Sequence, residues 1–212
     1  MPADFLLKAF VTLFVIVDPL ALAPVFLALT SGLGNAERRQ VALRAVLIAF
    51  VVLTAFALGG QRFVALLGIS FPAFRIAGGL LLFSIAFEML FEKRQARHEA
   101  TAEAARGEGE IQQIAAFPLA IPLISGPGAI TATMLLAASA HGDYLRLGLL
   151  VAVIAVVMAG CLTVALLASR VDKLLGVTGR IVFSRLLGVV LAALAVQFVV
   201  DGVSELVRGA SS

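Results

Sequence analysis

Long apolar runs separated by short polar punctuation set the rhythm of the chain. Six apolar stretches can be marked, at about Phe5–Leu29, Val41–Leu58 (continuing past Gly59-Gly60 toward Leu67), Ala73–Phe91, Ile114–Ala140, Tyr144–Ala168 and Ile181–Val207. Their lengths suit the ~20 apolar residues that a helix needs to cross a bilayer core. Breaker-rich turns lie between them: Thr30–Gln40 with Gly32, Gly34 and Asn35, the corner from Gly68 to Pro72, His141-Gly142-Asp143, and Ser169–Gly179. The runs do not alternate with period two, as barrel strands would, and in lipid a helix satisfies its own backbone. The expected fold class is an all-α membrane protein with six transmembrane helices, one transmembrane domain over residues 1–212. Glu92–Glu110 is the only long hydrophilic stretch. It reads as a linker, about 92–113, joining halves of about 1–91 and 114–208.

Two of these helices carry the same flaw. VIVDPLALAPVF, Val15–Phe26, and LAIPLISGPGAI, Leu119–Ile130, are each interrupted by two prolines five residues apart. A shift of 103 residues superposes Pro19 on Pro122, Pro24 on Pro127 and Phe14 on Phe117. The third helices match as well: Leu66-Leu67-Gly68-Ile69-Ser70 resembles Leu174-Leu175-Gly176-Val177-Thr178, and Arg75-Ile76-Ala77-Gly78 resembles Arg185-Leu186-Leu187-Gly188. Three helices per half is an odd number, so the halves must enter the membrane from opposite sides. The reading is two inverted three-helix repeats with helices 1 and 4 broken, an arrangement that points to a transporter's binding site at the breaks.

Composition sharpens this picture. Of the 212 residues, 61% are hydrophobic and 14% charged, against roughly 25% charged in an average soluble domain. No room is left for a soluble domain beside the helices. The net charge of +3 does not argue for nucleic acid, because the basic residues sit in short loops flanking apolar runs. Lys8, Arg62, Arg75, Arg146 and Arg208 fall on one side, and the other eleven of the 16 Lys and Arg on the opposite side. By the positive-inside rule the connections 1–2, 3–4 (92–113) and 5–6 are cytoplasmic and both termini lie outside. The first apolar run exceeds the 7–15 residues of a signal peptide and holds an aspartate, so it reads as a retained helix. Cys161, the single cysteine, lies within an apolar run and reads as packing.

The chemistry gathers at the breaks. Proline removes a backbone donor and disfavours helical geometry in the residue before it. Asp18-Pro19 therefore predicts a break with Asp18 as N-cap of a new half-helix. Ser125-Gly126-Pro127 predicts the same in helix 4, with Ser125 as the capping hydroxyl, followed by Gly128. The positive end of a half-helix suits a carboxylate. Freed carbonyls and Asp18 suit an ammonium group, Na⁺ or a proton, so helix 1 is expected to take the cation and helix 4 the carboxylate. An acidic group near mid-membrane costs about 2.5–3.5 kcal/mol on insertion scales and is a functional candidate by default. Thr131 follows the second break and is a candidate pocket residue. Pro24, Pro122, Arg75, Arg185 and Gln197 are candidates for a supporting shell or gate. Arg75 and Arg185 also suit interfacial anchors. No cofactor or metal site is expected beyond a candidate Na⁺ near Asp18. The two histidines, His98 and His141, sit in connections away from depth, which argues against an enzyme.

The residues now suggest a family. The Asp18-Pro19 break, GISFPAFRIAGG at Gly68–Gly79, FPLAIPLISGPGAI at Phe117–Ile130, and SRLLG with VQFVVDG within Ser184–Gly202 make nearly the whole chain resemble the MarC family (UPF0056), also called the neutral amino acid transporter (NAAT) family. The resemblance implies a multi-pass protein of the bacterial inner membrane, some of whose relatives move glycine and other small neutral amino acids, driven by an ion gradient. Several members carry Asn where this chain has Asp18, and a carboxylate can carry a proton where an amide cannot. The expected function is secondary transport of a small neutral amino acid coupled to H⁺ or Na⁺. The alternatives are an amino-acid or drug exporter, or a non-transporting membrane scaffold.

Overall fold

A computed structural model describes residues 2–94, 97, 114–140 and 142–210. Most of the expected linker, and both histidines, lie outside these residues. Among the described residues the regular elements are all helices: α1 (Pro2–Val17), α2 (Pro19–Leu29), α3 (Asn35–Leu66), α4 (Phe71–Leu90), the π-wound α5 (Ala115–Ile124), α6 (Pro127–Ala138), α7 (Tyr144–Leu166) and α8 (Ala168–Ala210). Five spans are long and apolar enough to cross a membrane: Ala3–Leu29, α3, α4, α7 and Ala168–Arg208. The pair α5 and α6, bent by 56°, makes a sixth if taken as one span.

Element ends follow local chemistry, and two of them correct the sequence reading. α3 starts at Asn35, not Val41, because Glu37 reaches back to accept the Gly34 N–H at 2.7 Å and caps the polar first turn. The stretch 169–179, expected as a turn, is helical except at Gly176, where φ is 58°. Asp172 pairs with Arg180 across that glycine. Ser70 caps α4 by accepting the Ala73 N–H at 3.4 Å, with Pro72 in the first turn. Gly68 and Gly176, the glycines of the two matched Leu-Leu-Gly blocks, both take positive φ, a conformation with little cost only for glycine.

Small residues set the packing. Ala42, Ala45, Ala49, Leu53 and Ala57 form a buried stripe on α3 at helical spacing, and that helix packs on α6 and α7. Leu47, Val51 and Leu58 lie on its exposed face, as expected for side chains that meet lipid. The most extensive seam is α4 against α8. Gly202 lies against Pro72 and Ile76 near the start of α4, and Gly188 against Ala86 and Met89 near its end, so the two helices run antiparallel. Arg75 pairs with Glu205 at 2.9 Å at one end of the seam, and Arg185 pairs with Glu92 at the other.

Candidate functional site

The first break forms where the proline dictates. Pro19 has no N–H, and Asp18 before it leaves the helix at φ 49°, ψ 68°. This left-handed region is uncommon outside glycine, though Asp and Asn are enriched there. Such a conformation costs about 1–3 kcal/mol and persists only where its surroundings impose it, typically at binding sites. Asp18 Oδ1 accepts the Ala21 N–H at 3.4 Å, as an N-cap should. Its Oδ2 is buried with no hydrogen-bond partner among the described residues, and the residue is only 2% exposed.

An arginine that the sequence reading had counted only as loop charge comes to meet it. Arg94 follows α4 and is 8% exposed. Its Nη2 donates to the Ile16 carbonyl, and its Nη1 approaches Met89 Sδ at 3.1 Å. Ile16 belongs to the last turn of α1, whose carbonyls have no intrahelical partner once the helix stops. Arg94 Nε, like Asp18 Oδ2, is buried without a partner among the described residues. The opposite charges of Asp18 and Arg94 lie close enough to act on one another.

Two cavities share this wall. One of about 240 Å³ is lined by Asp18, Glu88, Glu92, Arg94, Arg180 and Ser184, with apolar side chains completing it. A smaller one of about 110 Å³ is lined by Glu88 and Arg94 again, together with Ile16, Pro122, Gly126 and Pro127. Glu88 and Arg94 therefore stand between the space at the first break and the space at the second. Glu88 Oε1 accepts from Arg97 at 2.9 Å, while its Oε2 is buried and without a partner among the described residues.

The second break differs in construction. Phe117 and Ile121, the residues before Pro118 and Pro122, are extended rather than helical, and both Xaa-Pro bonds are cis. The expectation that Ser125 caps the following half-helix is corrected. Its N–H and its hydroxyl both donate to the Ala120 carbonyl, at 2.9 and 2.8 Å. Ser125 thus closes α5, and Gly126 occupies the N-cap of α6 with no side-chain bond. The two breaks approach each other: a methyl group placed on Gly128 would lie 3.6 Å from Ile16 Cγ2.

The remaining candidates scatter. Pro19 is buried at the first turn of α2, and Pro24 lies half-buried inside that helix. Pro122 and Pro127 line the smaller cavity with Gly128. Thr131 is buried and packs against Gly78 of α4. Arg75 and Arg185 hold their ion pairs on the α4–α8 seam. Gln197 is exposed and donates to Asp201 of its own helix at 2.7 Å. None of these three lines either cavity at the breaks. Arg94 and Glu88 were missed as site residues. The available signal was their position, one charge at the close of an apolar helix and one just past it, within reach of a neighbour that carries an acid.

Residues 3–207 match the family described as MarC family integral membrane protein. Among curated relatives, a UPF0056 membrane protein of Archaeoglobus fulgidus is 37% identical over 95% of this chain and 93% of its own length. The UPF0056 membrane protein MJ1677 of Methanocaldococcus jannaschii is 37% identical over 96% and 98%. The UPF0056 membrane protein YhcE of Escherichia coli is 34% identical over 95% and 93%. No solved structure matches the chain.

Proposed function

We propose that this chain, which belongs to the MarC family of integral membrane proteins, is a secondary transporter that moves a small neutral amino acid of the glycine or alanine type, coupled to an H⁺ or Na⁺ gradient. The observation that carries the reading is the cavity at the Asp18-Pro19 break. It presents a buried carboxylate oxygen without a partner and a buried guanidinium in a space of about 240 Å³. That volume lies below the roughly 300–1,000 Å³ of sites for drug-sized ligands. Its charged wall suits a zwitterion better than an apolar drug. A non-transporting scaffold would have no use for a buried acid with an unpartnered oxygen on a strained backbone at a helix break, where burial is costly and by default functional.

Transport across the membrane by rocking of two halves is supported by the antiparallel α4–α8 seam and by the shared positive φ of Gly68 and Gly176. Helices at equivalent places in inverted repeats must run in opposite directions. The proposed setting is the bacterial inner membrane with both termini outside, on the charge asymmetry of the loops. Asp18 is the candidate H⁺ or Na⁺ group.

The test is uptake of labelled glycine and alanine into proteoliposomes under imposed H⁺ and Na⁺ gradients, with Asp18→Asn in parallel. Gradient-dependent uptake by the wild type, with coupling lost in Asp18→Asn, is expected. Absence of gradient-driven flux for every small neutral amino acid tried sinks the reading. Unchanged ion dependence in Asp18→Asn removes Asp18 from coupling.

A further inference from the structure

The geometry points to Arg94 as the group that receives the substrate's carboxylate and, by doing so, opens the wall between the two cavities. This inference rests on the reading of the chain as an amino-acid transporter, and it reassigns the carboxylate end from the second helix break to a side chain after α4.

The buried polar groups at the first break carry the argument. Asp18 Oδ2 has no donor and Arg94 Nε has no acceptor among the described residues, and both residues line the same cavity. Buried polar groups are normally hydrogen-bonded, so unmatched ones call for an explanation such as a missing ligand. Glu88 Oε2 is a second acceptor on the same wall without a partner among the described residues. An α-amino acid offers an ammonium with three donors for these two acceptors and a carboxylate for the guanidinium. A guanidinium binds a carboxylate through two parallel N–H bonds, a geometry that ammonium or a helix end does not reproduce.

The second break offers less. Gly126 caps α6 with no side-chain bond, and it lines the smaller cavity, of which Asp18 forms no part while Arg94 borders both. A ligand of glycine size held by Asp18 meets Arg94 before it meets α6.

Arg94 is held in place by the carbonyl of Ile16, a neutral acceptor. A carboxylate is a stronger acceptor for the same fork, since it brings an opposite charge and takes two parallel N–H bonds where the carbonyl takes one. Substrate arriving at Asp18 therefore competes with Ile16 for Nη2. Release of Ile16 frees the last turn of α1, against which Gly128 of α6 packs. Because Arg94 forms part of the wall of both cavities, its transfer to the substrate couples occupancy to the partition between the breaks.

The experiment measures binding to detergent-purified full-length protein as a shift in thermal unfolding, using glycine, glycinamide and acetate as probes. Unfolding is read by a thiol-reactive fluorophore on Cys161, which is buried in the fold. Glycine is expected to stabilise the wild type, with glycinamide and acetate at least tenfold weaker. Arg94→Lys keeps the charge and loses the fork, and is expected to weaken glycine at least tenfold. Arg94→Gln is expected to abolish the preference for glycine over glycinamide. Should Arg94→Gln fail to fold, the wild-type comparison and Arg94→Lys still decide. Equal binding of glycine and glycinamide by the wild type, or unchanged glycine affinity in Arg94→Lys, overturns the assignment and leaves the transport reading standing. No binding of any small amino acid to the wild type overturns the transport reading and this inference with it.

Discussion

Replacing Gly79 with alanine tests whether the α4–α8 seam is a backbone-to-backbone contact. A Cβ at Gly79 would lie 2.7 Å from Val199 Cγ2, 2.8 Å from the Ala195 carbonyl oxygen and 3.1 Å from the Val199 nitrogen. The first atom can rotate away, but the other two belong to the α8 backbone. The helices must therefore separate along a seam whose other close contacts, at Gly188 and Gly202, would loosen with it. Overpacking of this kind costs about 1–3 kcal/mol. Alanine also gains about 0.8–1.0 kcal/mol of helix propensity over glycine, which obscures the clash in a single variant. Gly160, in α7, supplies the control, because a Cβ there meets nothing within 4 Å. Both substitutions receive the same propensity gain, so their difference isolates the contact. Gly160→Ala is expected to raise stability by up to about 1 kcal/mol. Gly79→Ala is expected to fall below it by about 1–3 kcal/mol. The assay is equilibrium unfolding in mixed micelles, followed by labelling of Cys161. Gly79→Ala as stable as Gly160→Ala would refute the seam as described.

Two further perturbations probe the breaks. Asp18→Asn keeps a side chain that tolerates the left-handed conformation and caps as well as aspartate, and removes only the charge that faces Arg94. Asp18→Ala removes the cap as well and is expected to lie about 0.5–2 kcal/mol below Asp18→Asn, read in the same unfolding assay, and equal stability of the two variants would contradict the cap. Ser125→Ala removes the hydroxyl bond to Ala120 but keeps the N–H bond to the same carbonyl. It is expected to cost about 0.5–1.5 kcal/mol, and a loss several times larger would mean that the hydroxyl also caps α6.

The helices and the first break were legible because their causes are local. Apolar length marks spans, and Asp18-Pro19 forces a break wherever it occurs in a helix. The extent of α8 was not legible. The segment 169–179 carries glycine and polar residues that suit a turn, yet only Gly176 departs from helical geometry, and Asp172 pairs with Arg180 across that glycine. Ser125 was misassigned because a serine before Gly-Pro satisfies two local rules at once, capping forward or bonding backward. In the structure the Ser125 N–H and hydroxyl both donate to the Ala120 carbonyl, which is the backward choice. Arg94 was illegible for a different reason. Its role depends on where the end of α4 comes to rest against the last turn of α1, and nothing local in EKRQAR encodes that meeting.

The matched halves allow one more step. The register that places Pro19 on Pro122 places Asp18 on Ile121, and the register that places Arg75 on Arg185 places Arg94 on Ser204. The second half therefore lacks both the buried acid and the buried base. If Asp18 were only a convenient cap, an arginine 76 residues later would have no reason to share its asymmetry. An uncompensated charge inside a protein costs several kcal/mol after relaxation, so an acid kept at a helix break is ionised only with an opposite charge nearby. An arginine is suited to supply it, because its aliphatic stem can lie along apolar surface from the helix end inward. The prolines break a helix in each half, with different geometry, while the buried charges gather at the first break. Under the proposed transport reading this asymmetry assigns the ligand contacts to the first break, with the second as the wall they work against.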